Sequence, residues 1–94
     1  SGPGYLCYIY EQLILAGVEL GLTEKAATEL VLGTVEGTAA LLARGESPEE
    51  LRGRVTSKGG TTAAAVSTME TRQLSDLLLA SLTAAVVRAR ELAR

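Results

Sequence analysis

The segment from Leu74 to Leu92 constrains the fold more than any other, because it has helical character and is apolar on more than one face. A helix of this kind needs burial on several faces. A chain of 94 residues builds at most one small core, so the expected cover is a second copy of the chain in a closed two-fold dimer. The alternatives are cover from within the same chain or from a different domain. The large apolar residues concerned are Leu74, Leu77, Leu78, Leu79, Leu82, Val86 and Val87.

Start and stop signals along the chain predict about five helices and no strand. Pro3 fits the first turn of a helix, where a missing N–H costs nothing, and Gly21 ends that helix. Thr23 is a suitable N-cap for the second helix, with Arg44 near its negative end and Gly45 as its stop. The predicted helices cover residues 2 to about 20, 24–44, 48–55, 63–70 and 74–92.

The clearest local signal is Ser47-Pro48-Glu49-Glu50, which has the form of a capping box. Residues 56–62 are predicted to be a loop, since Gly59 and Gly60 are adjacent, and either Thr61 or Thr62 is expected to cap the helix that follows. A break is expected at residues 71–73. No Gly or Pro marks it, so one continuous helix from residue 63 to the end is the alternative.

Composition excludes several classes of function. The net charge is −2, without a basic stripe, which argues against nucleic-acid binding. The uncharged stretch at residues 77–87 is much shorter than the ~20 residues that span a bilayer, so no membrane association is expected. Without His, and with Cys7 as the single cysteine, no metal site or intrachain disulfide is expected. Cys7 is expected to be a small buried apolar residue in a cytoplasmic protein.

One segment, residues 56–62, has the composition of a ligand site. Consecutive N–H groups around Gly59 and Gly60, followed by the start of a helix, form a suitable cradle for a small anion such as a carboxylate. The hydroxyls of Ser57, Thr61 and Thr62 add hydrogen-bonding capacity. On spacing alone, a plain connection that contains glycine and a Thr cap is the favoured interpretation. Glu11 is a weaker candidate, and a solvated or interface carboxylate is its simpler explanation.

Four short segments in order resemble the C-terminal dimerisation domain of the pyrroline-5-carboxylate reductase family. SGPGY at residues 1–5 is similar to that family's SGPAY, and VTSKGGTT at 55–62 is similar to its VTSPGGTT. SPEELR at 47–52 resembles its HPxELK/R stretch, and RAREL at 88–92 resembles its usual ending. The resemblance covers nearly the whole chain. It implies an all-α fold of about five helices in an intertwined two-fold dimer, with residues 1–94 as one domain that lacks an N-terminal nucleotide-binding domain.

The resemblance also implies a function. The family reduces 1-pyrroline-5-carboxylate to L-proline with NAD(P)H, and the isolated chain is expected to be inactive. The implied substrate-binding residues are Ser57, Gly59, Gly60, Thr61 and Thr62. Backbone N–H groups of Gly59, Gly60 and Thr61 would hold the substrate carboxylate, while the Thr62 hydroxyl would approach the ring nitrogen as the catalytic contact. No cofactor-binding residue is assigned within this chain, and a homodimer or higher oligomer is implied.

Two departures from the family pattern leave alternatives open. Lys58 stands where the family has Pro, and Thr71-Arg72-Gln73 replaces a turn that contains Gly. The first departure motivates a second hypothesis, a reductase-like interaction module without catalytic activity. A third hypothesis is a helical bundle that matches the family by chance.

Overall fold

The computed structural model describes residues 1–94 as five α-helices joined by short connections, without a strand. This confirms the predicted all-α class and number of helices. The chain divides into two compact units, residues 1–51 and 52–94. The helices are α1 (Gly2–Glu19), α2 (Glu24–Leu42), α3 (Pro48–Val55), α4 (Thr61–Thr71) and α5 (Leu74–Leu92).

The predicted caps of α2 and α3 are both formed. The Thr23 Oγ1 accepts a hydrogen bond from the N–H of Ala26 at 3.1 Å. In the capping box, the N–H of Glu50 donates to the Ser47 Oγ at 3.1 Å, and the N–H of Ser47 donates to the Glu50 Oε1 at 3.0 Å. Gly21 and Gly45 follow the ends of α1 and α2 with positive φ angles. These helix limits therefore arise from short-range chemistry that the sequence displays.

The structure corrects two boundary predictions. Neither Thr61 nor Thr62 caps α4, because the helix begins at Thr61 and the extended Gly60 is its N-cap. The α2 helix ends at Leu42, so Arg44 lies two residues beyond its carboxyl end and not within its last turn. The expected break before α5 is present: Gln73 adopts a left-handed conformation, with φ 59° and ψ 48°.

Unit 1 is organised around a close approach of α1 and α2. Ala27 is 1% exposed, and a Cβ built on Gly17 would lie 3.1 Å from the Cβ of Ala27 and 3.5 Å from the Cδ1 of Leu22. The absence of a side chain at Gly17 therefore lets the two helix backbones come together. Small aliphatic residues at this crossing replace the interdigitated large side chains of a typical helix pair.

Most of the apolar surface remains uncovered in the single chain. Ala27 and Leu51 are its only buried residues, and both lie in unit 1. All large apolar residues of α5 are exposed, from 39% for Leu74 to 69% for Leu79 and Leu92. The accessible surface is 7784 Å², whereas a folded monomer of this mass exposes about 5,200 Å². Unit 2 therefore contains α4 packed on α5 but no core of its own.

No helix combines the length and the apolar character that crossing a bilayer requires.

Replacing Gly17 with Leu is expected to destabilise the chain by about 1–3 kcal/mol, because the new side chain would push α1 away from Ala27. The midpoint of guanidinium unfolding, followed by helical circular dichroism, measures this change. Gly53→Leu is the matched control: Gly53 is also helical, and a Cβ built there has nothing within 4 Å. Equal losses in the two variants would show that the α1–α2 approach is not the cause.

The capping box should make stability depend on pH. Hydrogen bonds from the Ser47 backbone and, second, from the Ser47 side chain hold the pKa of Glu50 below its ordinary value of 4.5. Because the pKa of Glu50 is lower in the folded state, ionised Glu50 stabilises the fold fully above pH 4.5. This stabilisation is lost as the pH falls through the lowered pKa. Glu50→Gln should flatten this part of the unfolding profile measured from neutral to acidic pH.

Glu49→Gln is the control for that experiment, since it removes a charge from the same first turn without touching the capping box. If Glu49→Gln and Glu50→Gln change the profile equally, the effect is one of net charge and not of the Ser47–Glu50 hydrogen bonds.

Candidate functional site

The candidate site is built on a tight turn between α3 and α4. The N–H of Gly60 donates to the carbonyl of Ser57 at 3.1 Å, which closes a four-residue turn from Ser57 to Gly60. Gly59, the third residue of the turn, has φ +72°, and Lys58, the second, is not among the residues with positive φ. This is the pattern of a type II turn, which needs Gly or Asn at its third position and favours Pro at its second.

The turn delivers the chain directly into the N-terminus of α4. The first helical hydrogen bond runs from the N–H of Ala64 to the carbonyl of Gly60, at 3.1 Å. The N–H groups of Thr61, Thr62 and Ala63 precede it and have no partner within the helix, and no side chain caps them. Three parallel donors therefore point out of the front of the helix, where the helix dipole favours an anion.

The charge distribution of the chain leaves this helix start electropositive. The first turn of α4 contains no acidic residue. It shares this feature with α1, whereas α2 carries Glu24 in its first turn, α3 carries Glu49 and Glu50, and α5 carries Asp76. Those carboxylates offset the positive ends of their own helices. At α4 the chain supplies no such group.

The hydroxyl groups of the site are also unengaged. The side chains of Ser57, Thr61 and Thr62 make no hydrogen bond. The Ser57 hydroxyl lies close to Gly60, and a Cβ built on Gly60 would collide with it. The threonines on either side behave differently: the Thr56 hydroxyl donates to the carbonyl of Arg52 at 2.5 Å, and the Thr68 hydroxyl donates to that of Ala64 at 3.1 Å. The site hydroxyls are therefore available to a ligand.

The structure places the predicted site residues in one continuous segment but changes the set of backbone donors. The N–H of Gly60 is engaged in the turn, whereas those of Thr62 and Ala63 are unpaired. Sequence reasoning missed Ala63, because it placed the helix start about two residues too late. Gly60 and Thr62 are half-buried, and the other predicted residues are exposed. The binding roles assigned to these residues stay predictions.

Two other candidates lie on α1 and join no cluster. Glu11 is exposed, which agrees with the interpretation that it is a solvated or interface carboxylate. Cys7 is also exposed, so the prediction that it is buried is wrong for the single chain. The physical reason is that α1 covers α2 with one side only, leaving much of its apolar surface open.

Comparison with known proteins places this chain in a family. The model of the pyrroline-5-carboxylate reductase dimerisation family matches residues 1–92. The curated pyrroline-5-carboxylate reductase of Staphylococcus saprophyticus is 39% identical over 93 residues, which are 98% of this chain and 34% of that protein. The protein of Staphylococcus aureus strain COL is 38% identical, with the same coverage.

Solved structures agree with the sequence matches. A pyrroline-5-carboxylate reductase from Coxiella burnetii is 43% identical with a TM-score of 0.90, covering 97% of this chain and 34% of that one. The Plasmodium falciparum pyrroline carboxylate reductase, solved with NADP bound, is 30% identical with a TM-score of 0.82, covering 88% and 34%.

The five-helix fold is thus that of a reductase dimerisation domain. The chain belongs to the pyrroline-5-carboxylate reductase dimerisation family. It spans about a third of the length of the relatives that it matches. The family match removes the hypothesis of a helical bundle that resembles the family by chance.

The turn should depend on the identity of residue 59. Gly59→Val is expected to cost about 1–2 kcal/mol of stability, because a β-branched side chain is strained at a φ of +72°. Gly59→Asn should cost much less, since Asn tolerates this conformation. Thermal unfolding of the two variants measures the difference, and equal stability would mean that the turn does not hold this geometry in solution.

Proposed function

We propose that this chain is the dimerisation and substrate-binding part of an NAD(P)H-dependent pyrroline-5-carboxylate reductase, which makes L-proline in proline biosynthesis. The observation that carries the proposal is the start of α4, where the unpaired N–H groups of Thr61, Thr62 and Ala63 follow a tight turn without a neighbouring carboxylate. An anion-binding geometry of this kind fits the carboxylate of the substrate. Membership of the reductase family supplies the identity of that substrate.

The residues of the chain would bind and orient the substrate. The three N–H groups at the front of α4 hold the carboxylate, and the hydroxyls of Ser57 and Thr61 add hydrogen bonds to it. The Thr62 hydroxyl, which is half-buried and free of partners, lies one helical position further and approaches the ring nitrogen. Holding the carboxylate and the ring nitrogen of the substrate at the same time aligns its imine carbon for reaction.

The nucleotide supplies the reducing chemistry, which is hydride donation to the imine carbon. The chain consists of five helices and contains no strand. It therefore has no strand-to-helix phosphate loop of the Rossmann type. We therefore assign nucleotide binding to another domain, and the chain by itself has no reductase activity. The related Plasmodium falciparum structure, which has NADP bound, supports this choice of cofactor class.

The proposal includes a homodimer, or a higher oligomer built from it. The chain exposes 7784 Å², roughly 2,600 Å² more than a folded monomer of its mass. Two chains together would have an excess of about 5,200 Å², which falls at the upper end of the total area, about 2,000–5,000 Å² or more, that obligate dimers bury. The exposed apolar residues of α1 and α5 are the surface that a second copy would cover. We place the dimer in the cytoplasm, where Cys7 stays reduced.

A non-catalytic interaction module is the second candidate. Lys58 favours it, because the second position of this turn suits Pro and a lysine there leaves the turn less rigid. The unpaired donors of α4 favour the reductase over this module, since an interaction module has no need of an open anion site.

Dimerisation is tested by sedimentation velocity of the chain over a concentration series down to the nanomolar range. We expect a dimer throughout, because separated chains would expose the apolar residues of α5 to water. Leu79→Glu, which places a charge at a residue that is 69% exposed in the single chain, should shift the equilibrium to monomer. A folded, stable monomer of the unmodified chain would contradict the proposal.

Catalytic competence is tested with a chimera in which this chain replaces the matching third of the Coxiella burnetii reductase. We expect NAD(P)H-dependent reduction of pyrroline-5-carboxylate, and a loss of about 10–100-fold in kcat for Thr62→Val, since the hydroxyl would bond to a charged ring nitrogen.

Thr68→Val is the control for the chimera, because it makes the same substitution in α4 at a hydroxyl that is already bonded within the helix. A dimeric, folded chimera without imine reduction would favour the interaction module.

A further inference from the structure

The two compact units of the chain differ in what holds each of them together. Unit 1, residues 1–51, contains both buried residues, Ala27 and Leu51, and the close approach of α1 and α2 at Gly17. Unit 2, residues 52–94, contains no buried residue. Ordering a chain costs conformational entropy at every residue, and burial of apolar surface is the main term that offsets this cost. Unit 1 therefore has an internal source of stability that unit 2 lacks.

Local signals do not make up for this difference in unit 2. Its helix α4 has 11 residues, and isolated helices shorter than roughly 12–15 residues are marginal in water. Neither α4 nor α5 begins at a side-chain cap. In unit 1, by contrast, α2 begins at the Thr23 cap and α3 begins at the Ser47–Glu50 capping box. The helices of unit 2 thus need stabilising contacts that the single chain does not supply.

The middle of α5 is suited to enclosure on all sides. Residues 77–87 carry no charge, and their two polar side chains, Ser81 and Thr83, lie on opposite sides of the helix. The Ser81 hydroxyl donates to the carbonyl of Leu77 at 2.8 Å. The Thr83 hydroxyl donates to the carbonyl of Leu79 at 2.7 Å. Because both hydroxyls are satisfied within α5, burial of either side leaves no unpaired hydroxyl donor.

We propose that folding of unit 2 is coupled to association with a second copy of the chain, whereas unit 1 keeps its structure when the copies separate. The inference rests on the dimer in the function proposed above. A second copy is the favoured occupant because the excess surface of two chains is of the size that an obligate dimer buries. In the separated chain, α4 and α5 lose their helical structure, while α1 and α2 stay packed at Gly17 and Ala27.

The coupling is tested on the whole chain by dilution through the dissociation of the dimer, with sedimentation velocity recording association. Helical circular dichroism should fall by the contribution of α4 and α5, which have 11 and 19 residues. Hydrogen–deuterium exchange, read peptide by peptide, assigns the loss. We expect the amides of α4 and α5 to lose their protection as the dimer dissociates, and those of α1 and α2 to keep theirs.

Leu79→Glu gives the same information without dilution, because it is expected to shift the equilibrium to monomer. Leu79 is 69% exposed in the single chain, and Leu and Glu have similar helix propensities, so the substitution does not by itself unfold α5. Leu20→Glu is the matched control, since Leu20 is 87% exposed and lies in unit 1. This variant should remain a dimer in which both units are protected.

Three results would overturn the inference. One is a monomer in which unit 2 exchanges as slowly as it does in the dimer, and another is a monomer in which both units lose protection together. The third is loss of protection in unit 2 of a dimeric Leu20→Glu, which would make the added glutamate the cause and not dissociation. All three leave the proposed dimer standing, because sedimentation measures association separately from order.

Discussion

Burial of aliphatic surface is the constraint on which the rest of this structure depends. The helices form from local signals, yet only Ala27 and Leu51 are buried in the single chain, and the second unit has no buried residue. Two helices packed along one side cannot offset the conformational entropy lost when 43 residues become ordered. The proposed dimer would supply the missing burial from surface between molecules, in keeping with membership of a dimerisation family.

That dependence explains the unusual composition of the domain. With no Trp and no Phe, the chain achieves contact through close backbone approach, as at Gly17 and Ala27, and through long aliphatic faces such as that of α5. Small side chains allow several helices to meet without large gaps.

The candidate site uses backbone groups more than side chains. The turn from Ser57 to Gly60 orients the chain so that α4 starts with three unpaired N–H groups, and the absence of an acid in its first turn keeps that end electropositive. The role proposed for this site needs no His or metal, because N–H groups suffice to position an anion and the proposal leaves hydride donation to a nucleotide.

The sequence by itself determined the features that act over three or four residues. The Thr23 cap, the Ser47–Glu50 capping box and the glycine turn all follow from local hydrogen-bonding chemistry. The break before α5 was harder to predict, because Gln73 takes a left-handed conformation that usually calls for Gly. Only the tertiary structure decided that Gly60 caps α4, that Ala63 joins the donors and that Cys7 is exposed, since these depend on the exact helix start and on how far α1 covers its neighbour.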